Sequence, residues 1–172
     1  MNKKYKCKFV RKDKSRLMKT VGWILGLLKI MSKSKFINHF ITTVRRKIFF
    51  PKSSLVYTIN ANTNNQNASL LGLICHEFTH VIQKLGVDYL YDSTKLTKAE
   101  TDATIAQMEF LWAIAGRMPT ATDCAQALKD YDVSNKHIKS AYVKYEMATK
   151  MITQGLYRSK IAKEMITFIK TY

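Results

Sequence analysis

The chain has 172 residues, of which 47% are hydrophobic, with six glycines and two prolines. This length and composition predict one globular domain with its own core, and they exclude a disordered or collagen-like chain. The three cysteines, Cys7, Cys75 and Cys124, are odd in number and far apart, which excludes a small scaffold held together by disulfides.

Positive charge is concentrated at the start of the chain. The whole sequence has 29 Lys and Arg against 12 Asp and Glu, a net charge of +17. Residues 1–52 hold 16 basic side chains and one acid, Asp13, so this third of the chain carries +15. Such density favours an anionic partner, either nucleic acid, an acidic protein or a membrane surface. The alternative is that these basic side chains bind no specific partner and only keep the protein soluble.

Residues 1–35 are predicted to form a basic arm with a short amphipathic helix near 17–32. Its apolar run, 21–28, follows a basic stretch as in a signal peptide, but Lys29 interrupts the run and no cleavage site follows. The run is also far shorter than the roughly 20 residues that cross a bilayer. We therefore expect no transmembrane span, and association with a membrane surface stays open.

Residues 36–172 are predicted to form the folded domain. Residues 40–50 are rich in β-branched and aromatic types and predict a strand, which we expect to form a hairpin with 55–59 before a polar loop at 60–67. Apolar periodicity then predicts helices over 69–85, closed by Gly86 in a left-handed conformation, and over 97–115, opened by a Thr97–Glu100 capping box. Further helices are expected over 122–131, from 134 with an interruption at Gly155, and over 159–171. The predicted fold class is α+β and mostly helical, with a small hairpin or sheet before the helices.

The helix over 69–85 contains the sequence His76-Glu77-Phe78-Thr79-His80, an HExxH motif. Residues four apart lie on the same side of a helix, so both imidazoles can bind one zinc ion. Glu77 lies beside them, where a carboxylate can accept the proton of a zinc-activated water and pass it to a leaving amine. A pair of structural histidines is the alternative interpretation.

A catalytic zinc site needs a third protein ligand. The candidates on the next helix are Glu100, Asp102 and Glu109. Glu100 follows His80 by 20 residues, a spacing similar to that of thermolysin-like enzymes. The segment Glu100-Thr101-Asp102-Ala103 is similar to the Glu-x-Glu-Ala segment of compact one-domain zinc peptidases, with Asp at the third place. Over residues 36–115 the chain thus resembles the gluzincin class of zinc metallopeptidases.

The resemblance implies a zincin-like core in which His76, His80 and Glu100 bind zinc and Glu77 is the general base of peptide hydrolysis. The Thr97 capping box offers Glu100 a structural role instead, and Asp102 as the ligand would resemble the aspzincins. Thermolysin-like enzymes also orient a zinc histidine with an Asp at the position of Thr104.

Other features of the site stay open at the level of sequence. The candidate donors to a reaction oxyanion are Tyr89, Tyr91, His137, Tyr142 and Tyr145, and Cys75 is expected to be a small buried residue. The second hypothesis is a structural or assembly protein that retains a zincin fold without proteolysis and uses its basic arm as an anchor. We expect an intracellular protein, or a virion-associated one if a phage encodes it.

Overall fold

Helices make up most of the protein, and a three-stranded sheet lies beside them. The computed structural model describes residues 7–27, 32–39, 41–51, 64–131, 133–157 and 159–171. The helices are α1 (Arg16–Leu27), α2 (Lys33–His39), α3 (Asn64–Gln83), α4 (Ser93–Ala115), α5 (Ala121–Ala127), α6 (Asn135–Thr153) and α7 (Lys160–Thr171). Short 3-10 turns cover Lys12–Lys14, Val87–Leu90 and Leu128–Tyr131. The predicted class, α+β and mostly helical, is confirmed.

The sheet contains β1 (Lys8–Arg11), β2 (Thr42–Val44) and β3 (Lys47–Phe50), in the order β1-β3-β2. β1 runs parallel to β3, and β2 runs antiparallel to it. The prediction of one strand over 40–50 is wrong, because the chain reverses at residues 45–46 with Arg45 in the left-handed region at φ 54°. Turns of this kind usually carry Gly, Asn or Asp, so two arginines gave no turn signal. The expected partner strand, 55–59, lies outside the described residues.

The basic N-terminal segment packs against this sheet. β1 and α2, which were not predicted, flank α1, and Lys12 is fully buried. One hydrophobic cluster joins α1, α2 and the hairpin, through Met18, Val21, Leu25, Phe36, Val44 and Phe49. The division of the chain at residue 35 stays a prediction. Among the described residues, no helix combines the length and apolar character needed to cross a membrane.

Helices α3 and α4 pack side by side in opposite directions, and this pair positions the HExxH motif. Cys75 donates a hydrogen bond to the carbonyl oxygen of Ala106 at 3.5 Å, and Gln83 at the end of α3 donates to that of Ala99. At Gly72, an added Cβ would lie 2.9 Å from Leu111. The Leu111 side chain therefore packs directly on the backbone of Gly72, one turn before the first histidine of the motif.

The ends of these two helices differ from the prediction. α3 begins at Asn64, inside the expected polar loop, and it ends at Gln83. Lys84, with φ 54°, takes the left-handed position expected of Gly86, which has φ −79°. α4 begins at Ser93 because the side chain of Asp92 accepts hydrogen bonds from the first turn, so the predicted capping box at Thr97 is wrong.

Candidate metal centre

Three side chains from α3 and α4 converge in the interior of the protein. His76 and His80 lie one turn apart on α3, and Glu100 lies on the facing side of α4. All three are buried, and their ligand atoms lie within 4.8 Å of one another. Since the helix cap is Asp92, Glu100 has no capping role and its carboxylate faces the two imidazoles.

The distances between these atoms fit a single metal ion. Nε2 of His76 lies 3.1 Å from Nε2 of His80 and 3.1 Å from Oε2 of Glu100, and Nε2 of His80 lies 3.4 Å from Oε1 of Glu100. Ligand atoms about 2.0–2.1 Å from a tetrahedral zinc lie roughly 3.3 Å apart. Two imidazole nitrogens and one carboxylate are also a typical donor set of catalytic zinc. The residues present therefore fit this ion.

The orientation of His80 is fixed by a neighbour on the same helix. Nδ1 of His80 lies 2.9 Å from Oε1 of Gln83, an acceptor, so Nδ1 carries the hydrogen and the neutral ring offers its Nε2 lone pair to a metal. Gln83 in turn donates to the backbone of α4. Gln83 thus connects the second histidine of the motif to the facing helix.

The charges of the site are strongly coupled. Burial by itself lowers the pKa of His80, but the charge and hydrogen bond of Glu100, together with Glu77 and Gln83, raise it to about 9. Burial likewise opposes ionisation of Glu100, yet the two histidines hold its pKa well below the ordinary range of a glutamic acid. In the absence of a metal, both shifts favour the charged forms of Glu100 and His80.

Glu77 is held by the sheet rather than by its own helix. Thr43 of β2 donates a hydrogen bond from Oγ1 to Oε2 of Glu77 at 2.6 Å, and both residues are buried. The preceding residue, Thr42, accepts at 2.6 Å from the ammonium of Lys12, which also lies 3.5 Å from the ring centroid of Phe36. Burial lowers the pKa of Lys12 to about 7, against the opposing effect of the Glu77 charge.

The other candidate ligands lie elsewhere. Asp102 is exposed on α4, and Glu109 accepts a 2.6 Å hydrogen bond from the backbone N–H of Ser159, just before α7. Cys75 is fully buried, and burial with the charge of Glu109 raises its pKa to about 12, so it is a neutral thiol as expected of a packing residue.

Among the predicted oxyanion donors, Tyr89 alone lines the cavity at the two histidines. Its ring centroid lies 6.1 Å from that of His80. Tyr91 is largely exposed, and Tyr142 donates to Glu146 instead. The sequence missed Tyr131, which shares this cavity and forms a hydrogen bond with Glu100. Burial, then the charge of Glu100, raises the pKa of both Tyr89 and Tyr131, which are therefore phenols able to donate.

The site adjoins two cavities. The first, of about 30 Å³, is lined by the motif residues together with Leu25 and Phe36 from the N-terminal helices. This volume accommodates about one water molecule. The second, of about 340 Å³, is a groove between α3, α4 and α5 that reaches His76, Glu77, Glu100 and Tyr131. The site therefore has room for about one water molecule beside Leu25 and Phe36, and for a larger ligand beside α5.

Comparison with known proteins found no matching protein family, no matching curated protein and no matching solved structure.

Proposed function

We propose that the protein is a small zinc-dependent metallopeptidase of the gluzincin type. The observation that carries the proposal is the buried cluster of His76, His80 and Glu100, with ligand atoms 3.1–3.4 Å apart, beside the Glu77 carboxylate. Zinc held by these three residues would act as a Lewis acid that activates water and polarises a peptide carbonyl.

The general base in this proposal is Glu77. It accepts a proton from the attacking water and passes it to the leaving amine. Thr43 binds one carboxylate oxygen of Glu77 and thereby fixes the direction of the other. The phenols of Tyr89 and Tyr131 line the same cavity as the ligands, and they are our candidates for stabilising the negative charge of the tetrahedral intermediate.

The substrate in this proposal is a peptide or protein segment that enters through the groove beside α5. The groove volume of about 340 Å³ falls at the lower end of the range of ligand-binding pockets, about 300–1,000 Å³. The sheet side offers room for water only. Residues 1–52, with their charge of +15, are proposed to bind an anionic partner separately from this chemistry.

Two variants test the proposal. His76→Ala should lose zinc by elemental analysis, because an aromatic nitrogen ligand is removed. Glu77→Gln should keep zinc yet lose peptide hydrolysis by about 10²–10⁴-fold, because an amide cannot accept the proton. A wild-type protein that binds zinc but cleaves nothing in a broad peptide library would favour the second hypothesis, a non-proteolytic assembly protein. Equal zinc in wild type and His76→Ala would refute the metal centre itself.

A further inference from the structure

A basic groove lies at the end of the sheet away from α5. It has a volume of about 780 Å³ and is lined by α1, the β2–β3 turn and the residues that follow α3. Its apolar lining comes from Leu17, Val44 and Phe49, and its basic side chains are Arg45, Arg46, Lys47 and Lys84. Within the described part of the chain none of these four bases forms an ion pair, whereas the acid at the groove, Asp88, is paired with Lys95.

The exposed face of α1 adjoins this groove. Trp23 is 59% exposed and Leu27 66% exposed, and residues four apart lie on one side of a helix. The opposite side of α1 already packs into the core, so these two side chains do not serve the fold. Arg16 and Lys19 are exposed on the same helix. Leu17, 44% exposed, lies on the same helix and also lines the groove, so the groove begins at the first turn of α1.

We propose that this surface, formed by the exposed face of α1 and the basic groove, docks on a bilayer that contains anionic lipids. Trp and Leu side chains enter the boundary between headgroups and acyl chains, and Lys and Arg attract anionic headgroups. A nucleic acid or an acidic peptide would satisfy the four bases but would leave Trp23 and Leu27 in water. A bilayer surface satisfies both. The proposal does not depend on zinc or on peptide hydrolysis.

Sedimentation of the full chain with vesicles tests the docking. We expect binding to vesicles of phosphatidylcholine with phosphatidylglycerol, and much weaker binding to phosphatidylcholine alone. Replacing Arg45 and Arg46 by Gln should lower partitioning by about fivefold per charge. Trp23→Ser with Leu27→Ser should lower it by about tenfold or more. The matched control, Val143→Ser with Met147→Ser, removes two equally exposed apolar side chains from α6 and should change nothing.

A spectroscopic measurement shows which residue enters the bilayer. The chain has two tryptophans, so Trp112→Phe leaves Trp23 as the sole tryptophan. Its fluorescence should shift to shorter wavelength when anionic vesicles are added. Three results would overturn the proposal: no vesicle binding at low salt, equal loss in the α6 control, or binding that depends on the arginines but not on Trp23 and Leu27. The last result, with binding to RNA or DNA, would identify a polyanion site instead. Zinc content, measured in every variant, separates these outcomes from a failure of the metal centre.

Discussion

Replacement of Lys12 by Met should stabilise the protein at neutral pH. The Lys12 side chain has no exposed surface, and its ammonium contacts the hydroxyl of Thr42 and the ring of Phe36. These contacts replace only part of the hydration that the ammonium has in the unfolded chain. Burial therefore lowers its pKa from 10.5 to about 7. Methionine fills a similar volume without a charge.

The sign of the pH dependence follows from the number of bound protons. Between about pH 7 and 10.5 the unfolded chain keeps the proton on Lys12 while the folded protein releases it, so stability rises with pH. The wild type should therefore gain about 3 kcal/mol from this group between pH 7 and 9.5, at about 1.4 kcal/mol per pH unit. Lys12→Met has no such group. Over this range its advantage should be largest at pH 7 and about 3 kcal/mol smaller at pH 9.5.

Urea unfolding of both proteins at several pH values measures this difference. The metal-free wild type also contains His80, whose raised pKa stabilises the fold below about pH 6.5 and is lost as the pH rises towards 9. That effect is present in both proteins, so it cancels in the comparison. The control is Lys14→Met, an exposed lysine in the same turn, which should show no pH-dependent difference. A Lys12→Met difference that stays constant from pH 7 to 9.5 would refute the assigned burial penalty.

Two further predictions concern the site itself. Thr43→Val should leave zinc content unchanged but lower kcat/KM by about 10- to 100-fold, because Glu77 loses a hydrogen bond to a charged group. Thr43→Ser, which keeps the hydroxyl, should restore activity, and equal kinetics of the two variants would remove this positioning role. Glu100→Ala should abolish zinc binding by elemental analysis, whereas Asp102→Ala should retain it. The opposite order would assign the third ligand to Asp102 and contradict the observed convergence.

The local part of the site was predictable because it depends on one helix. HExxH places two histidines on one face whatever the rest of the chain does. Glu100 could be proposed only from spacing and resemblance, since its position depends on how α4 packs against α3. That packing includes the contact of Leu111 with Gly72, which no periodicity encodes. Gln83 and Thr43 were missed for the same reason, because their roles depend on the contacts of α3 with α4 and with the sheet.

The start of α4 shows how a local pattern can mislead. Thr97 and Glu100 have the spacing of a capping box, but Asp92 lies five residues earlier and caps the helix first. Thr97 then lies inside α4, where its hydroxyl bonds back to the carbonyl oxygen of Ser93 at 2.6 Å. A capping role would compete with metal binding by Glu100. The observed cap removes that competing role.

The N-terminal segment has more than one role in this structure, because part of it forms a wall of the candidate metal centre. Leu25 and Phe36 line the same small cavity as His76 and Glu77, and β1 pairs with the strand next to the one that holds Glu77. Deleting residues 1–19 would therefore remove a strand and the buried Lys12 together with nine of the basic side chains. Such a truncation therefore cannot separate the effect of lost positive charge from the effect of lost structure. Substitutions at exposed positions of α1 and the hairpin turn can, because their side chains contribute charge or apolar surface without packing into the core.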